Sequence, residues 1–144
     1  VHFLNSIIVR ATRYTEQNGY INTLLGRRCR FDLWESKDFH DKRMMSHENA
    51  KKTWQWNEMK RAGTYRALNR LIQGSAADQT KKAMVDLWKI VGVVPMIQIH
   101  DELNVSITNE TQVKEIKEIM ESAVELHVPV KCEAKIGKNW GEIK

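Results

Sequence analysis

The strongest constraint in the sequence is a helical pattern over residues 64–91 whose apolar face changes sides halfway. At about 100° per residue, Arg66, Asn69, Arg70 and Gln73 share one arc, opposite Ala67, Leu68, Leu71 and Ile72. Beyond Gly74 the arc that was polar becomes apolar, with Met84, Leu87, Trp88 and Val91. A straight helix with one buried face cannot do this. The pattern predicts a bend near Gly74, where glycine costs about 1 kcal/mol relative to alanine, or two halves with different surroundings. Either way the first half keeps a basic-and-amide face free and the second is packed. Ala76 and Ala77 leave room for a close neighbour.

Upstream, Phe3, Leu4, Ile7, Ile8, Ala11 and Tyr14 recur at helical spacing, and Asn18-Gly19 ends them as a helix C-terminus. Residues 20–31 hold two short β-type runs around Leu25-Gly26, the pattern of a hairpin. Residues 32–62 are rich in charge, Trp and Met, with a weak helical signal from Met45, and read as an excursion from the core. Pro95 introduces a strand at 96–100. A second strand alternates Leu103, Val105 and Ile107 against Asn104, Ser106 and Thr108. His100-Asp101-Glu102 lies between them, at the tip of an antiparallel hairpin. Asn109, with Gln112 three residues on, resembles a helix cap. The helix it opens carries Val113, Ile116, Met120, Ala123, Val124 and His127 on one side. A closing strand alternates Val130, Cys132, Ala134 and Ile136 against Lys131, Glu133 and Lys135. This order of elements, without repeats or linkers, predicts an α+β layer with an antiparallel sheet.

At 144 residues, 42% of them hydrophobic and 28% charged, one compact domain is expected and intrinsic disorder is not. No apolar run approaches the roughly 20 residues needed to cross a bilayer. Residues 1–9 have neither the basic lead nor the cleavage site of a secretory signal. Cys29 and Cys132 match no metal or redox spacing, so a reducing compartment fits best and no disulfide framework is expected. With no spanning run, the expectation is a cytoplasmic protein, or one of the host cytoplasm if phage-encoded, without a membrane partner. Charge is one-sided. Through Ile90 there are 17 Lys and Arg against 9 Asp and Glu, and afterwards 6 against 9. The excess points to a polyanion such as nucleic acid, or to a lysine-rich solvated surface.

Adjacent Asp101 and Glu102 at a tight turn offer hard oxygen ligands suited to Mg²⁺. Asp is also an ordinary turn residue and Glu an ordinary solvated one, and the tripeptide by itself leaves both readings open. Asn69 and Gln73, four apart, present two amides from one helix face. Amides match the acceptors that every base pair shows in the minor groove; capping or plain surface polarity needs the same residues. Arg27, Arg28 and Arg30 on a hairpin suit phosphates or a charged sheet edge. No phosphate-cradling glycine loop, His-Glu-x-x-His or Gly-x-Ser-x-Gly occurs. His40 and His47 read as surface residues, and the Trp34, Trp54 and Trp56 cluster as core or a docking surface, with core the default.

Three ordered segments together carry more. They are Gly19-Tyr20-Ile21-Asn22-Thr23-Leu24-Leu25-Gly26-Arg27-Arg28, then Ala67-Leu68-Asn69-Arg70-Leu71-Ile72-Gln73-Gly74-Ser75-Ala76-Ala77-Asp78, then Gln98-Ile99-His100-Asp101-Glu102-Leu103. In order and spacing they resemble the C-terminal part of family A DNA polymerases, down to Asn139-Trp140. The resemblance spans the chain except about 32–62, which reads as a longer insertion. It implies a single C-terminal palm piece over residues 1–144, with a palm-like antiparallel sheet, an acidic hairpin tip and a C-terminal strand packed against long helices. It also implies catalytic and Mg²⁺-binding roles for Asp101 and Glu102, in a two-metal site that residues outside this chain complete. His100, Gln73, Asn69, Arg66, Arg27 and Arg28 would contact primer-template DNA. Where the family carries an arginine four residues before Asn69, this chain has Tyr65, and Arg66 is offset by one.

The family's upstream Asp-Tyr-Ser-type motif and its nucleotide-binding fingers helix have no counterpart in these 144 residues. The expected function is therefore template-directed DNA synthesis from dNTP, with the missing motifs on a complementary fragment or chain and no activity by this piece alone. A non-catalytic nucleic-acid-binding module that keeps the palm shape is the alternative.

Overall fold

The computed structural model describes residues 2–143 and divides into two compact units, one ending at Ser75 and one beginning at Ala76. In the first, helix α1 (His2–Asn18) leads into a hairpin of β1 (Tyr20–Asn22) and β2 (Arg28–Arg30), with Ile21 opposite Cys29. Gly19 ends the helix with φ +77°, and its N–H bonds the Thr15 carbonyl at 2.8 Å. Only residues without a Cβ adopt that backbone cheaply. Ala11, Ile21, Phe31 and Ala67 form the core here, with Cys29, Leu68 and Leu71 packed on it. The stripe foreseen on α1 is only partly used. Ala11 and Thr15 are buried, whereas Phe3, Leu4, Ile8 and Tyr14 are exposed. The helix meets β1 and the 3₁₀ turn Thr64–Arg66, and the buried positions fall in its C-terminal half.

Residues 32–62 are more ordered than the sequence suggested. Strands β3 (Leu33–Ser36), β4 (Met44–Ser46) and β5 (Met59–Arg61) form an antiparallel sheet in the order β4-β3-β5. Helix α2 (His47–Thr53) begins near the expected point, where the Ser46 hydroxyl accepts the Asn49 N–H at 3.5 Å. Strands of three or four residues are too short to show a clear alternation, which is why the sequence did not announce them. The assignment of the tryptophans to the core needs correcting. Trp34 and Trp54 are half-buried, but Trp56 is 67% exposed. His47 is half-buried against Trp34 rather than a free surface residue.

Helix α3 (Ala67–Val91) contributes residues 67–75 to the first unit and 76–91 to the second. In the second unit Leu87, Ile116 and Ile119 are buried, with Val91, Val93, Leu103, Val105, Ile107 and Met120 packed around them. The buried side of α3 here runs through Thr80, Ala83 and Leu87. Trp88, expected in the packed arc, is 60% exposed. It lies about 100° round the helix from Leu87, past the edge of that arc. Strands β6 (Ile97–Ile99) and β7 (Glu102–Asn104) form the predicted hairpin, but shorter than expected: Glu102 belongs to β7 and residues 105–108 lie outside it; α4 (Thr111–Ser122) follows. The Asn109 side chain accepts the Gln112 N–H at 3.1 Å, and Gln112 accepts the Thr108 N–H at 2.8 Å. The Asn109 bond is as foreseen, but Gln112 returns to Thr108 instead of Asn109, and Glu110, the residue that caps α4, makes no side-chain capping bond.

Two expectations fail at the C-terminal end. Helix α4 stops at Ser122 and leaves His127 exposed outside it. Pro129 disfavours helix at the residue before it. Residues 130–136 join no sheet, so the predicted C-terminal strand is not formed among the described residues. Alternation alone cannot make a strand without a partner edge. The Cys132 N–H is instead satisfied by a Glu121 carboxylate oxygen at 2.9 Å.

Candidate functional site

On the first unit, Asn69 and Gln73 are both exposed on α3. The β1–β2 hairpin is clamped to the helix just beyond them. Arg27 donates from Nη2 to the Gly74 carbonyl at 2.9 Å, and Leu24 N–H donates to Ser75 Oγ at 2.9 Å. Ser75 in turn donates to the Leu71 carbonyl at 2.7 Å. Glycine is required where the two elements touch. A Cβ on residue 74 would lie 2.8 Å from Thr23 Cγ2 and 3.2 Å from Arg27 Nη2.

Two of the three arginines foreseen as suiting phosphates, Arg27 and Arg28, have protein partners. Arg27 holds the helix, and the Arg28 guanidinium sits 4.0 Å above the Tyr20 ring. Arg66 Nε donates to the Tyr65 hydroxyl at 2.8 Å, so the offset arginine engages the tyrosine standing at the family's arginine position. The Arg70 guanidinium covers Phe31 at 4.5 Å while donating to the Arg30 carbonyl at 3.0 Å. Arg61 went unnoticed in the sequence. It reaches the Glu16 and Phe31 carbonyls at 3.3 and 3.1 Å and lies 4.9 Å over Trp34. All its partners are remote in sequence, so no local pattern signalled it.

On the second unit, β6 and β7 pair Ile97 with Asn104, Gln98 with Leu103 and Ile99 with Glu102, which leaves His100 and Asp101 as a two-residue turn. His100 has φ +53°, the one non-glycine residue with positive φ among the described residues. Positive φ at the first turn position matches the right-handed twist of a hairpin and is unfavourable for most side chains. Gln98 Nε2 donates to the His100 carbonyl at 2.6 Å and braces the turn. Asp101 and Glu102 are both exposed. Two adjacent carboxylates match the preference of Mg²⁺ for few protein oxygens supplemented by water and phosphate. Among the described residues no group of three or more His, Cys, Asp or Glu converges as a complete metal site. Asp101 and Glu102 are oxygen donors of the kind Mg²⁺ takes, two of the several ligands such a site needs.

Comparison with known proteins gives the family. The model of DNA polymerase family A matches residues 3–142. The chain belongs to DNA polymerase family A. A DNA-directed DNA polymerase of Pseudomonas phage M6 is 36% identical over 141 residues, covering 98% of this chain and 18% of the relative. DNA polymerase I of Borreliella burgdorferi is 32% identical over 149 residues, covering 97% of this chain and 14% of the relative. The chain thus spans less than a fifth of these relatives' length. The solved POL domain of Pol1 from M. smegmatis, in complex with DNA primer-template and dNTP, superposes with a TM-score of 0.60 at 27% identity. It covers 88% of this chain and 21% of that one. Among the described residues no helix is long and apolar enough to cross a membrane.

Proposed function

We propose that this chain supplies the C-terminal palm portion of a template-directed DNA polymerase, with 32–62 as an insertion, working on primer-template DNA and dNTP. The observation that carries the reading is the braced β6–β7 turn, which presents Asp101 and Glu102 together on a chain of this family. The two carboxylates would hold Mg²⁺, with further ligands from an upstream motif on a complementary polypeptide segment or chain. Bound there, the ion would neutralise phosphate charge and make the primer hydroxyl easier to deprotonate. His100, beside them in the turn, faces the primer backbone in this reading. Asn69 and Gln73 hold the minor groove by acceptors common to all base pairs, and Arg28 and Arg66 lie at the duplex backbone. Arg27 acts one step removed, by holding the helix that bears Gln73.

These 144 residues alone do not extend a primer in this reading, because alignment of the α-phosphate with the primer hydroxyl needs the nucleotide-binding elements as well. The test is Asp101→Ala in the polymerase completed by those elements. Extension should fall to background while binding of primer-template DNA stays within about twofold, since no phosphate contact is lost. Undiminished extension removes Asp101 from catalysis. DNA binding without extension in any completed wild-type assembly decides for a non-catalytic module.

A further inference from the structure

The segment 32–62 lies outside the motifs discussed so far, yet it builds an aromatic cleft of about 620 Å³, lined in part by Asp32, Trp34, His47, Trp56 and Arg61. That is the size range of small-ligand sites. Its floor is occupied: His47 stacks on Trp34 with centroids 4.7 Å apart at 25°, and the Arg61 guanidinium lies 4.9 Å over the same indole. Trp56 tilts against Trp34 at 5.6 Å and meets His47 edge-on at 6.0 Å, yet remains 67% exposed. His47 Nε2 is buried among these rings without a hydrogen-bond partner, which a finished core rarely tolerates. The cleft combines the exposed indole of Trp56 with a rim that also includes Glu16 and Gln17.

From this geometry we infer that the insertion is a docking site for an unpaired nucleobase of single-stranded DNA, stacked on the exposed face of Trp56. The inference rests on the polymerase reading for the nucleic acid itself. A base is planar and stacks on an indole whatever its identity. Its edge is what the rim can address. The Asp32 and Glu16 carboxylates accept from exocyclic amines, the match made by cytosine and unavailable to thymine. Arg61 and Gln17 supply donors for ring acceptors. A polyproline peptide is the other familiar occupant of tryptophan clefts, but it offers no amines to that acidic rim.

The probe is a labelled 12-nucleotide oligodeoxycytidine titrated with the full chain, read by fluorescence anisotropy. Trp56→Ala should weaken binding about 5- to 100-fold, the usual loss for one stacking platform, and Trp56→Phe should stay within about threefold of wild type. Oligodeoxythymidine of the same length should bind more weakly than oligodeoxycytidine. Because Trp56 is mostly exposed, its truncation leaves the core intact, and binding of a blunt duplex should be unchanged. Equal affinity of wild type and Trp56→Ala for the oligonucleotide overturns the inference. So does displacement of that oligonucleotide by a proline-rich peptide, or a preference for thymidine. The outcome is separable from the polymerase reading, which stands or falls on Asp101-dependent extension.

Discussion

At the scale of single residues, Gln73 is the sharpest test of the amide face. Its helix leaves it and Asn69 exposed, while the next two residues are fastened to the β1–β2 hairpin. A neutral hydrogen bond is worth on the order of 1 kcal/mol. Gln73→Ala in the completed polymerase should therefore slow extension about fivefold, on every template, because minor-groove acceptors recur in all pairs. Wild-type rates across several primer ends, in a normally folded variant, would reduce Gln73 to a solvated helix residue. Glu121 gives a pH test. Its carboxylate accepts the Cys132 N–H at 2.9 Å and lies 3.7 Å from Lys131, and this bond, aided by the lysines, lowers its pKa. A lowered folded pKa contributes stability above the unfolded value of about 4.3 and loses it as pH falls through the folded value. The stability gap between wild type and Glu121→Gln should accordingly shrink between pH 7 and pH 3. A gap of constant size in urea titrations would show that the bond does not favour the ionised form.

At the scale of elements, the Gly74 contact pits two known effects against each other. Alanine at a helix interior gains about 1 kcal/mol over glycine. Here its Cβ would come within 2.8 Å of Thr23 Cγ2, a short side chain on a buried residue that has little room to yield. Overpacking of that kind costs about 1–3 kcal/mol, so Gly74→Ala should lower stability by about 1 kcal/mol in thermal or urea unfolding. A stabilised variant would mean that the hairpin gives way freely. Sequence periodicity foresaw α1, the two tight hairpins and the change of surroundings along α3, because each repeats its signal or ends in turn chemistry. It missed β3, β4 and β5, whose three- and four-residue spans carry hardly one period. It overreached at 130–136, where alternation was present and a partner strand was not. The site was legible in the same uneven way. Asp101, Glu102, Asn69 and Gln73 stand where local spacing put them, exposed at a turn and on one helix face. The engagement of Arg27 with Gly74 and of Arg61 with Phe31 depends on the fold, and a list of basic residues could not single out these clamps.

At the scale of the whole molecule, the relevant quantity is the charge gradient along the chain. The 17 basic against 9 acidic residues through Ile90 are followed by 6 against 9, the later group including Asp101 and Glu102. In the proposed reading the carboxylates of Asp101 and Glu102 repel phosphate until Mg²⁺ is bound, so affinity for DNA would come from the basic segment and be electrostatic. Such affinity carries a signature, since neutralising each phosphate releases counterions and lowers log affinity by about 0.9 per decade of salt. With two phosphates neutralised, raising salt from about 50 to 200 mM should weaken binding of a primer-template duplex by roughly tenfold, and more if further arginines take part. The slope should be the same in Gln73→Ala, which loses no charge. Asp101→Ala should keep affinity within about twofold at every salt concentration, since it removes no phosphate contact. Duplex binding that ignores salt would contradict the electrostatic account, and a steeper slope in wild type than in Gln73→Ala would contradict the assignment of Gln73 to the minor groove.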